Sequence, residues 1–505
     1  MSNSKIKSIS QLAEKSKELK SSGKSIVMCH GTFDLLHTGH IRYLQKAKKK
    51  GDLLFVTVTA DCYVNKGPGR PVFNQELRAE NLAALACTDY VSINHDESSV
   101  DAINRIKPNH YVKGSDYQNL YDDITGNIVR EKNAVEANGG EISFTDEITF
   151  SSSELLNEYF DVFSPEVKQF LEQFEFSINE VNQQLASLLE LEVLVVGDAI
   201  IDEYHYSTPL GQTGKGNVLA VRFEGEERFA GGAIAVANHI SNFVKKVTLF
   251  TGIGSNDKEE EFIRSKLCAN INPIFIKFDT APTVTKRRYV ADDLSKFFEI
   301  YYFNEEAMTQ KTLKAACDWL KNNTKLYDAV IVPDFGNGFI LPSMSSYLIN
   351  ESKYLAVNTQ LNSGNRGFHV IQRYPRSSFV ALNEPELRLA AHNKQEPIEN
   401  IARQMSKNLD LEILAVTLGA KGLVLYDKKD DRIYKVPALS TKVVDRVGAG
   451  DAFLSLAGIC ASKGMPPKLT AFIGSVAAAI DVQIVCNREP INRVTLGKYC
   501  ATLLK

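Results

Sequence analysis

Residues 25–40 read SIVMCHGTFDLLHTGH and run directly into the helical pattern IRYLQKAKKKGD. The first part is a short apolar run with the composition of a buried strand, and Gly31 follows it at once. A glycine at a strand-to-helix turn lets a ligand approach the backbone closely, and the N-terminus of the following helix favours an anion. This stretch therefore predicts a strand, a phosphate-binding turn and a helix, which is the opening unit of an α/β fold.

The same alternation of short apolar runs and longer helical patterns continues along the whole chain. The further runs of strand length are LLFVTV at 53–58, VLVVGD at 193–198, VTLFTGIG at 247–254, AVIVPD at 329–334 and ILAVTL at 413–418. Runs of this kind, rich in Val, Ile and Leu, are typical of buried parallel strands. We therefore predict that the chain is α/β throughout.

Composition argues against several classes of protein. The 505 residues carry 58 Lys and Arg against 61 Asp and Glu, a net charge of −3, which argues against a nucleic-acid or acidic-membrane coat. No run approaches the roughly 18 apolar residues of a membrane span, and the N-terminus lacks the apolar core of a secretory signal. The eight cysteines are scattered without C-x-x-C spacing, which favours reduced thiols. We expect a cytoplasmic protein with neither nucleic acid nor membrane as a partner.

The segment 151–192 breaks the α/β rhythm. It contains one proline, Pro165, no glycine, and apolar residues at helical spacing. Two helices fit it, one beginning after the serines at 151–153 and one with Pro165 at its first position. We predict a first domain over 1–160, a helical connector over 161–190 and a second domain over 191–505.

Two histidines, His37 and His40, surround Thr38 and Gly39 at the phosphate-binding turn. This H-x-G-H after G-T-F-D is similar to the cytidylyltransferase-like nucleotidyltransferases. Four further motifs follow in family order: KGPGRP at 66–71, ELR at 76–78, VKGSDY at 112–117 and GGE at 139–141. With them, residues 24–160 resemble the adenylyltransferase half of the bifunctional heptose 7-phosphate kinase/heptose 1-phosphate adenylyltransferases. The glycerol-3-phosphate cytidylyltransferases are the next nearest in resemblance.

The resemblance implies a Rossmann-like domain in which a substrate phosphate attacks the α-phosphorus of a nucleoside triphosphate and releases pyrophosphate. His37, His40 and Lys66 would be the catalytic residues that stabilise the transition state. The implied nucleotide- and phosphate-binding residues are Gly31, Thr32, Phe33, Arg70, Asp116, Ser151, Ser152 and Ser153. Ser115 replaces a glycine of the family pattern, and the insertion QNLYDDITGN lengthens the loop after it. The nucleotidyl donor is therefore left open between ATP and CTP.

Residues 445–453 read DRVGAGDAF. A Gly-Ala-Gly that opens a helix presents backbone N–H groups to a phosphoryl group, and Asp451 after it can accept the proton of an attacking hydroxyl. In this context, residues 190–500 resemble the ribokinase-like (PfkB) carbohydrate kinases. Thr285, Lys286 and Arg287 are similar to a returning lid strand of the heptose kinases.

This second resemblance implies a ribokinase-like α/β fold that transfers the γ-phosphoryl of ATP to a sugar hydroxyl with Mg²⁺. Asp451 would be the catalytic base, and Glu386 in the N-x-x-E motif at 383–386 would act on the metal through its water shell. The implied nucleotide-binding residues are Thr417, Gly419, Gly422, Gly448, Ala449 and Gly450. The implied sugar-binding residues are Asp198, Asp202, Gly231 and Gly232.

Departures from the kinase pattern concentrate where the sugar would bind. The glycine pair 231–232 is followed by Ala-Ile-Ala, so an asparagine of the family is lost, and Asn337 stands where a lysine is expected. The stretch 358–367 is rich in asparagine and could bind a hydroxylated ligand or form a solvated loop. An intact catalytic loop beside a changed sugar site predicts an active kinase on an altered sugar.

Together the two halves predict a bifunctional enzyme of nucleotide-sugar synthesis, with the domain order reversed relative to the family it resembles. The kinase would phosphorylate a sugar or a heptose 7-phosphate-like sugar phosphate, and the transferase would couple the sugar 1-phosphate to a nucleoside triphosphate. One alternative is a CTP-dependent cytidylyltransferase and kinase for another sugar or a polyol phosphate. Another is a transferase regulated by a non-catalytic, sugar-sensing kinase-like domain. The expected partners are small sugar phosphates and nucleoside triphosphates, with a homodimer left open.

Overall fold

The computed structural model describes residues 4–64, 66–67, 69–114, 127–145, 163–255, 258–304, 306–365, 367–440 and 442–504. Contacts divide the chain into two compact units, which we call the first unit (1–164 with 497–505) and the second unit (165–496). The segment predicted as a connector falls within the second unit from residue 165 onward. The boundaries at 160 and 190 stay predictions.

The first unit alternates helices and strands. Its elements are α1 (Ile9–Ser21), β1 (Ile26–Gly31), α2 (Thr38–Lys48), β2 (Leu53–Thr59), α3 (Gln75–Ala83), β3 (Tyr90–Asn94), α4 (Val100–Ile106), β4 (His110–Lys113), α5 (Asn127–Ala137) and β5 (Glu141–Phe144). The strands form one parallel sheet in the order β3-β2-β1-β4-β5. Because β2 and β4 flank β1, the strand order reverses there, and ligands of such sheets bind beyond the carboxyl end of that strand. The Rossmann-like prediction is confirmed.

Strand β1 is buried on both faces because helices cover both sides of the sheet. Val27 and Cys29 pack with residues of α2 and α3, whereas Ile26 and Met28 pack with residues of α1, α4 and α5. All four side chains are fully buried. This explains why the strand is a continuous apolar run rather than an alternating one.

The second unit is also α/β, and its elements run from α6 to α16. They are α6 (Pro165–Glu172), α7 (Ile178–Ser187), β6 (Glu192–Val196), β7 (Ala199–Gln212), β8 (Leu219–Gly232), α8 (Ala233–Ser241), β9 (Lys246–Gly254), α9 (Glu259–Lys266), β10 (Ile271–Phe278), β11 (Val284–Val290), β12 (Lys296–Tyr302), α10 (Gln310–Asn323), β13 (Ala329–Asp334), α11 (Pro342–Glu351), β14 (Leu355–Thr359), β15 (Arg376–Asn383), α12 (Glu384–Ala390), α13 (Ile398–Asn408), β16 (Asp410–Thr417), β17 (Leu423–Asp427), β18 (Arg432–Val436), α14 (Ala449–Ser462), α15 (Pro467–Asp481) and α16 (Arg493–Leu503). Helix α16 crosses the division between the units.

Two sheets organise the second unit. The larger has the order β10-β9-β6-β13-β14-β15-β16-β17-β18, parallel as far as β16 and antiparallel over β17 and β18. The smaller has the order β12-β11-β7-β8. Only Gly197 and Asp198 separate β6 in the large sheet from β7 in the small one, and β8 leads directly into α8. These two connections set the geometry of the second site.

The helix predicted to begin at Pro165 is confirmed as α6, whereas its predicted companion after residues 151–153 lies outside the described residues. Phe170 of α6 stacks against Phe472 of α15 at 6.3 Å between ring centroids, and the ring of the following Phe174 packs against Phe472 in a tilted arrangement at 4.4 Å. All eight cysteines are free thiols. In the described part of the chain, no helix is both long and apolar enough to cross a bilayer.

Candidate active sites

In the first unit, the two histidines of H-x-G-H stack on each other where α2 begins. Their ring centroids are 4.0 Å apart. The His37 Nδ1 accepts a hydrogen bond from the Gly39 amide at 3.1 Å, so His37 caps the N-terminus of α2. The His40 Nδ1 lies 3.1 Å from the Leu35 carbonyl oxygen, which can only accept, so this nitrogen donates.

These contacts fix a different tautomer in each neutral ring. The proton of neutral His37 lies on Nε2, which has no hydrogen-bond partner among the described residues, whereas neutral His40 leaves Nε2 without a proton. Burial, the neighbouring His37 and the Lys66 charge lower the pKa of His40 to about 4. Burial also lowers the pKa of His37. An anionic ligand at these nitrogens would favour the protonated form of His40.

Phe33 packs against the His40 ring. Its side chain is almost completely buried and meets the His40 ring edge-on, at 5.4 Å between centroids. Its φ of 50° is unusual for a residue with a side chain, and such backbone conformations cluster at functional turns. A Cβ on Gly31 would lie 3.1 Å from the Phe33 ring, so the turn favours glycine there.

Two residues that sequence reasoning quoted but did not place in the site tie the turn to the next loop. The Asp34 carboxylate accepts hydrogen bonds from the amides of Val72 and Phe73 at 2.8 and 3.0 Å. The fully buried Arg78 donates to the Thr32 carbonyl at 2.6 Å and pairs with an Asp61 oxygen at 2.5 Å. In the sequence, Asp34 belongs to the motif G-T-F-D and Arg78 to the motif ELR, and these motifs were the available signals. We interpret both as positioning residues.

The structure brings part of the predicted basic loop towards the histidines. The Lys66 charge contributes to lowering the pKa of His40, and Asp34 acts on Arg70 to oppose the lowering of its pKa by burial. Asp116 and the serines 151–153 lie outside the described residues. Their predicted roles, like those of Lys66 and Arg70, stay predictions.

In the second unit, Gly448 caps the N-terminus of α14 and Asp451 lies in the first turn of that helix. The first amides of a helix have no intrahelical acceptor, so Gly448, Ala449 and Gly450 form a site suited to an anion. Gly448 has a φ of 105°, and a Cβ there would lie 2.7 Å from Asp481 Oδ2. A Cβ on Gly450 would meet no atom within 4 Å.

Asp451 lies among charged side chains that arrive from three other elements. Burial, Asp202 of β7 and Glu386 of α12 raise its pKa to about 7, while Lys286 of β11 opposes that rise. A carboxylate with a pKa near neutrality is a better proton acceptor than an exposed one and still ionises at pH 7. The site can therefore take a proton from a hydroxyl beside an anion-binding turn.

The predicted sugar-side residues come together where the two sheets join. A Cβ on Gly231 would lie 1.9 Å from Asp202 Oδ2, and a Cβ on Gly232, which has a φ of 60°, would lie 2.5 Å from the Asp198 carbonyl oxygen. Only glycine lets β8 approach both aspartates so closely. Arg288 forms a buried ion pair with Asp202.

Lys286 is a site residue that the sequence placed only in a lid-strand motif. Its side chain is 6% exposed and feels the charges of Asp202, Asp198 and Asp451, which oppose the lowering of its pKa by burial. Its ammonium nitrogen lies over two aromatic rings, 5.5 Å from the centroid of Tyr301 and 5.6 Å from that of Phe335. The alternation of β11 was the available signal, because it places Lys286 and Arg288 on one face of the strand.

Glu386 lies in a capping box at the start of α12. Its oxygens accept hydrogen bonds from the amides of Asn383 at 2.8 Å and Leu361 at 3.2 Å, and burial raises its pKa to about 7. Among the described residues, no three His, Cys, Asp or Glu side chains form a group that could hold a metal. Mg²⁺ usually keeps several waters and binds substrate phosphates with few carboxylates. Glu386 fits that mode through the water shell.

The T-x-G-x-x-G turn follows β16. Gly422 has a φ of 89°, and a Cβ there would lie 2.1 Å from the Val436 carbonyl oxygen, so its role in the turn is structural. Gly419 has a φ of 60° and open space around its missing Cβ. Thr417 ends β16 with its hydroxyl 3.5 Å from the Leu382 carbonyl. Nucleotide contact by these residues stays a prediction.

The asparagine-rich stretch largely fastens two loops together. Asn362 and Asn365 both donate to the Phe335 carbonyl, at 2.9 and 3.0 Å, and the Asn365 side chain also accepts from the Asn362 amide. These contacts join the loop after β14 to the loop after β13. The sequence left a ligand site and a solvated loop open for this stretch. The structure shows that two of its side-chain amides, those of Asn362 and Asn365, also have a structural role.

Behind the anion-binding turn lies a buried charge that sequence reasoning missed. Asp481 ends α15 with 0% exposure, and neither carboxylate oxygen has a hydrogen-bond partner among the described residues. His239 Nε2 lies 3.8 Å from Asp481 Oδ1, and its Nδ1 accepts from the Ile491 amide. Burial and the nearby Asp451 and Asp445 raise the pKa of Asp481.

Gly448→Ala should destabilise the second unit by about 1–3 kcal/mol, because alanine disfavours the positive φ and its Cβ would collide with Asp481. Gly450→Ala is the matched control. Its Cβ meets open space in the first helical turn, so we expect no loss or a gain of about 0.5 kcal/mol. Differential scanning calorimetry of the two variants measures the difference. Equal stability of the two would contradict the close packing at Gly448.

Asp481→Asn should stabilise the protein increasingly as the pH rises above about 4, the ordinary pKa of an aspartate. The pKa of Asp481 is higher in the folded than in the unfolded chain, so the folded state retains a proton that the unfolded state has lost. Wild-type stability therefore falls with pH by up to roughly 1.4 kcal/mol per unit, and asparagine removes that loss. Urea unfolding at several pH values measures it, with Asp318→Asn, an exposed residue of α10, as the control. A pH-independent difference would contradict the assignment.

Comparison with known proteins agrees with this division into two sites. Residues 190–490 match the family of pfkB carbohydrate kinases, and residues 28–158 match the cytidylyltransferase-like family. The transferase-like segment precedes the kinase segment, which confirms the predicted order. At the level of fold, the chain is similar to phosphofructokinase-2 from Escherichia coli in complex with substrates and products. That structure has a TM-score of 0.50 and 13% identity, with 62% of this chain and 99% of that chain covered.

Two curated relatives carry the name Bifunctional protein HldE. The protein from Syntrophotalea carbinolica is 40% identical over 126 residues, which cover 25% of this chain and 24% of that protein. The protein from Koribacter versatilis is 28% identical over 303 residues, which cover 58% of this chain and 60% of that protein. The aligned stretches thus span about a quarter to three fifths of these relatives. The pfkB match alone covers more than half of this chain, so the chain belongs to the pfkB family of carbohydrate kinases.

Proposed function

We propose that the chain is a bifunctional enzyme of nucleotide-sugar synthesis. The second unit transfers the γ-phosphoryl of ATP to a hydroxyl of a sugar or sugar phosphate, and the first unit couples a sugar 1-phosphate to a nucleoside triphosphate. The observation that carries the proposal is that each unit places its reactive side chains, Asp451 and the pair His37 and His40, at the start of a helix beside a glycine turn.

In the kinase reaction, the acceptor hydroxyl gives its proton to the Asp451 carboxylate and its oxygen attacks the γ-phosphorus. The bond from that phosphorus to the bridging oxygen breaks, and ADP leaves with the electron pair. The amides of Gly448, Ala449 and Gly450 stabilise the charge of the transferring phosphoryl group. Asp198 and Asp202 orient the sugar, with Gly231 and Gly232 close against them.

In the transferase reaction, a phosphate oxygen of the sugar 1-phosphate attacks the α-phosphorus of the donor. The bond to the bridging oxygen breaks, and pyrophosphate leaves. The His37 Nε2–H donates to a phosphate oxygen, and His40 does so once it is protonated. Lys66 and Arg70 add positive charge from the loop that Asp34 and Arg78 hold.

We propose Mg²⁺ as the cofactor of the kinase and ATP or CTP as the nucleotidyl donor. Glu386 would hold the metal through water molecules, since both of its oxygens already accept backbone amides. When bound with the phosphates, Mg²⁺ neutralises part of their charge.

Similarity to the HldE proteins supports sugar 1-phosphates over polyol phosphates as acceptors of the transferase. Asp451 lies in the first turn of the helix that an intact anion-binding turn opens, which supports a working kinase over a non-catalytic sensor. Exposed apolar side chains of the four-stranded sheet, among them Phe223 and Phe298, support a homodimer.

Asp451→Asn should lower ADP formation by roughly 10²–10⁴-fold, because the base for the acceptor hydroxyl is lost. It should leave pyrophosphate release from supplied hexose and heptose 1-phosphates intact. His40→Asn should show the reverse pattern. The measurement is mass spectrometry of all products from Mg²⁺, ATP, CTP and a sugar panel, with Asp318→Asn as the control. Loss of both reactions in one folded variant would contradict two separate sites.

Nucleotide binding at the first unit should take up a proton. The pKa of His40, about 4 without ligand, rises when anionic phosphates bind, so affinity should increase as the pH falls towards 5. Titration calorimetry with Mg²⁺ and ATP, then CTP, in buffers of different ionisation enthalpy counts the protons. The His40→Asn variant, which keeps the second site, should take up fewer. Equal uptake by both proteins would exclude His40 as the proton acceptor.

A further inference from the structure

A glycine of the predicted basic loop lies directly against a residue from far along the chain. Gly67, in the motif KGPGRP at 66–71, has a φ of 88°, and a Cβ there would lie 3.2 Å from the Thr502 Cβ and 3.4 Å from its Cγ2. The first of these distances is shorter than an ordinary contact between carbon atoms. The Thr502 side chain therefore packs on the loop backbone where a side chain of residue 67 would otherwise be.

Thr502 belongs to the first unit. Contacts group residues 497–505, which include part of α16, with residues 1–164. The Thr502 side chain is 5% exposed, and its hydroxyl donates to the Lys498 carbonyl at 3.0 Å, one helical turn earlier. Burial and this bond hold the branched side chain in one orientation, so it offers Gly67 a fixed surface.

The other end of the motif is held as well. Asp34 accepts from the amides of Val72 and Phe73, which directly follow the motif, at 2.8 and 3.0 Å. Gly67 and Gly69 both have positive φ, and glycines give a loop more conformational freedom to lose when it becomes ordered. A restraint near each end of the motif therefore reduces the ordering that a ligand would otherwise have to bring about.

Lys66 is the residue that the restraint on Gly67 affects most directly, because it is the preceding residue. Its charge contributes to lowering the pKa of His40, so it already acts at the H-x-G-H turn before a ligand binds. A lysine carries its charge on a flexible stem, and it stabilises a phosphate most effectively when its backbone is already in place.

We propose that Thr502 is a positioning residue of the transferase, which holds Gly67, and through it Lys66, where the phosphates of the nucleoside triphosphate bind. The transferase site then depends on a residue outside the stretch 28–158 that matches the cytidylyltransferase-like family. This inference rests on the proposed transferase function and deepens it.

The first test measures pyrophosphate release from Mg²⁺, ATP or CTP, and hexose and heptose 1-phosphates. Thr502→Ala removes the two γ atoms near Gly67 and should lower kcat/KM about five- to tenfold. Thr502→Val keeps the shape of the side chain and should retain most of the activity. Thr495→Ala, the same change seven residues earlier on α16, is the matched control, and ADP formation should be unchanged in all three variants.

Equal kcat/KM for Thr502→Ala and the wild type would overturn the inference. Thr502→Ser, which removes only Cγ2 and keeps the hydroxyl, tests the same contact if Thr502→Ala does not fold. It should lower kcat/KM about two- to threefold, and an unchanged value would overturn the inference in the same way.

A double-mutant cycle with Lys66 separates positioning from a general structural role. Thr502→Ala should change kcat/KM less than about twofold in the Lys66→Ala background, because the group that Thr502 positions is then gone. Losses that multiply instead would overturn the inference, since Thr502 would then support the unit without acting through Lys66.

Hydrogen exchange provides a readout that needs no substrate. In the ligand-free protein, peptides that contain Gly67 and Gly69 should exchange about fivefold faster in Thr502→Ala than in the wild type or Thr502→Val, because the loop opens more often. Unchanged exchange in folded Thr502→Ala would overturn the inference.

A failure of the proposed transferase itself has a separate signature. In that case the wild type would release no pyrophosphate with any sugar 1-phosphate, while ADP formation at the second unit continued. That result would overturn the transferase function together with the inference that rests on it. An active wild type with an equally active Thr502→Ala would overturn the inference alone.

Discussion

Both sites depend on backbone amides that a helix cannot satisfy internally. In the first unit, the chain leaves the carboxyl end of the parallel strand β1 and enters α2, whose first N–H groups have no intrahelical acceptor. In the first unit, His37 caps α2 and adds imidazole nitrogens to those amides. In the second, Gly448 opens α14 at a φ of 105°, which only glycine adopts without strain, and Asp451 follows within the first turn.

The surroundings of those amides differ in charge, and the chemistry differs accordingly. The histidines of the first unit are neutral before ligand binds, because burial lowers the pKa of both, and His37 and Lys66 lower that of His40 further. A bound anion would favour the protonated form of His40. In the second unit, Asp198, Asp202 and Asp451 instead lie around Lys286, and burial, Asp202 and Glu386 raise the pKa of Asp451. In each unit, burial and the neighbouring charges thus set the pKa values of the titratable side chains.

The sequence predicted the α/β class, both glycine turns, the start of α6 and the order of the two units, because these signals are local. His37, His40, Asp451 and Glu386 each lie within a few residues of the motif that identifies them. Sequence reasoning did not assign a site role to Arg78, Lys286 or Asp481, because the side chains and carbonyls near them are distant in the sequence. Arg78 reaches Thr32 across 46 positions, and Asp198 meets the Phe339 amide across 141. Only the fold reveals these neighbours.

The two sheets of the second unit meet within a single short turn. Asp198 lies in the short link after β6 of the large sheet, and Asp202, four residues later, lies in β7 of the small one. A sugar bound by both carboxylates would bridge the two sheets, so its size and stereochemistry would affect the angle between them. The backbone at residues 197 and 198 links the two sheets, so a rotation of one sheet against the other would have to bend the chain there.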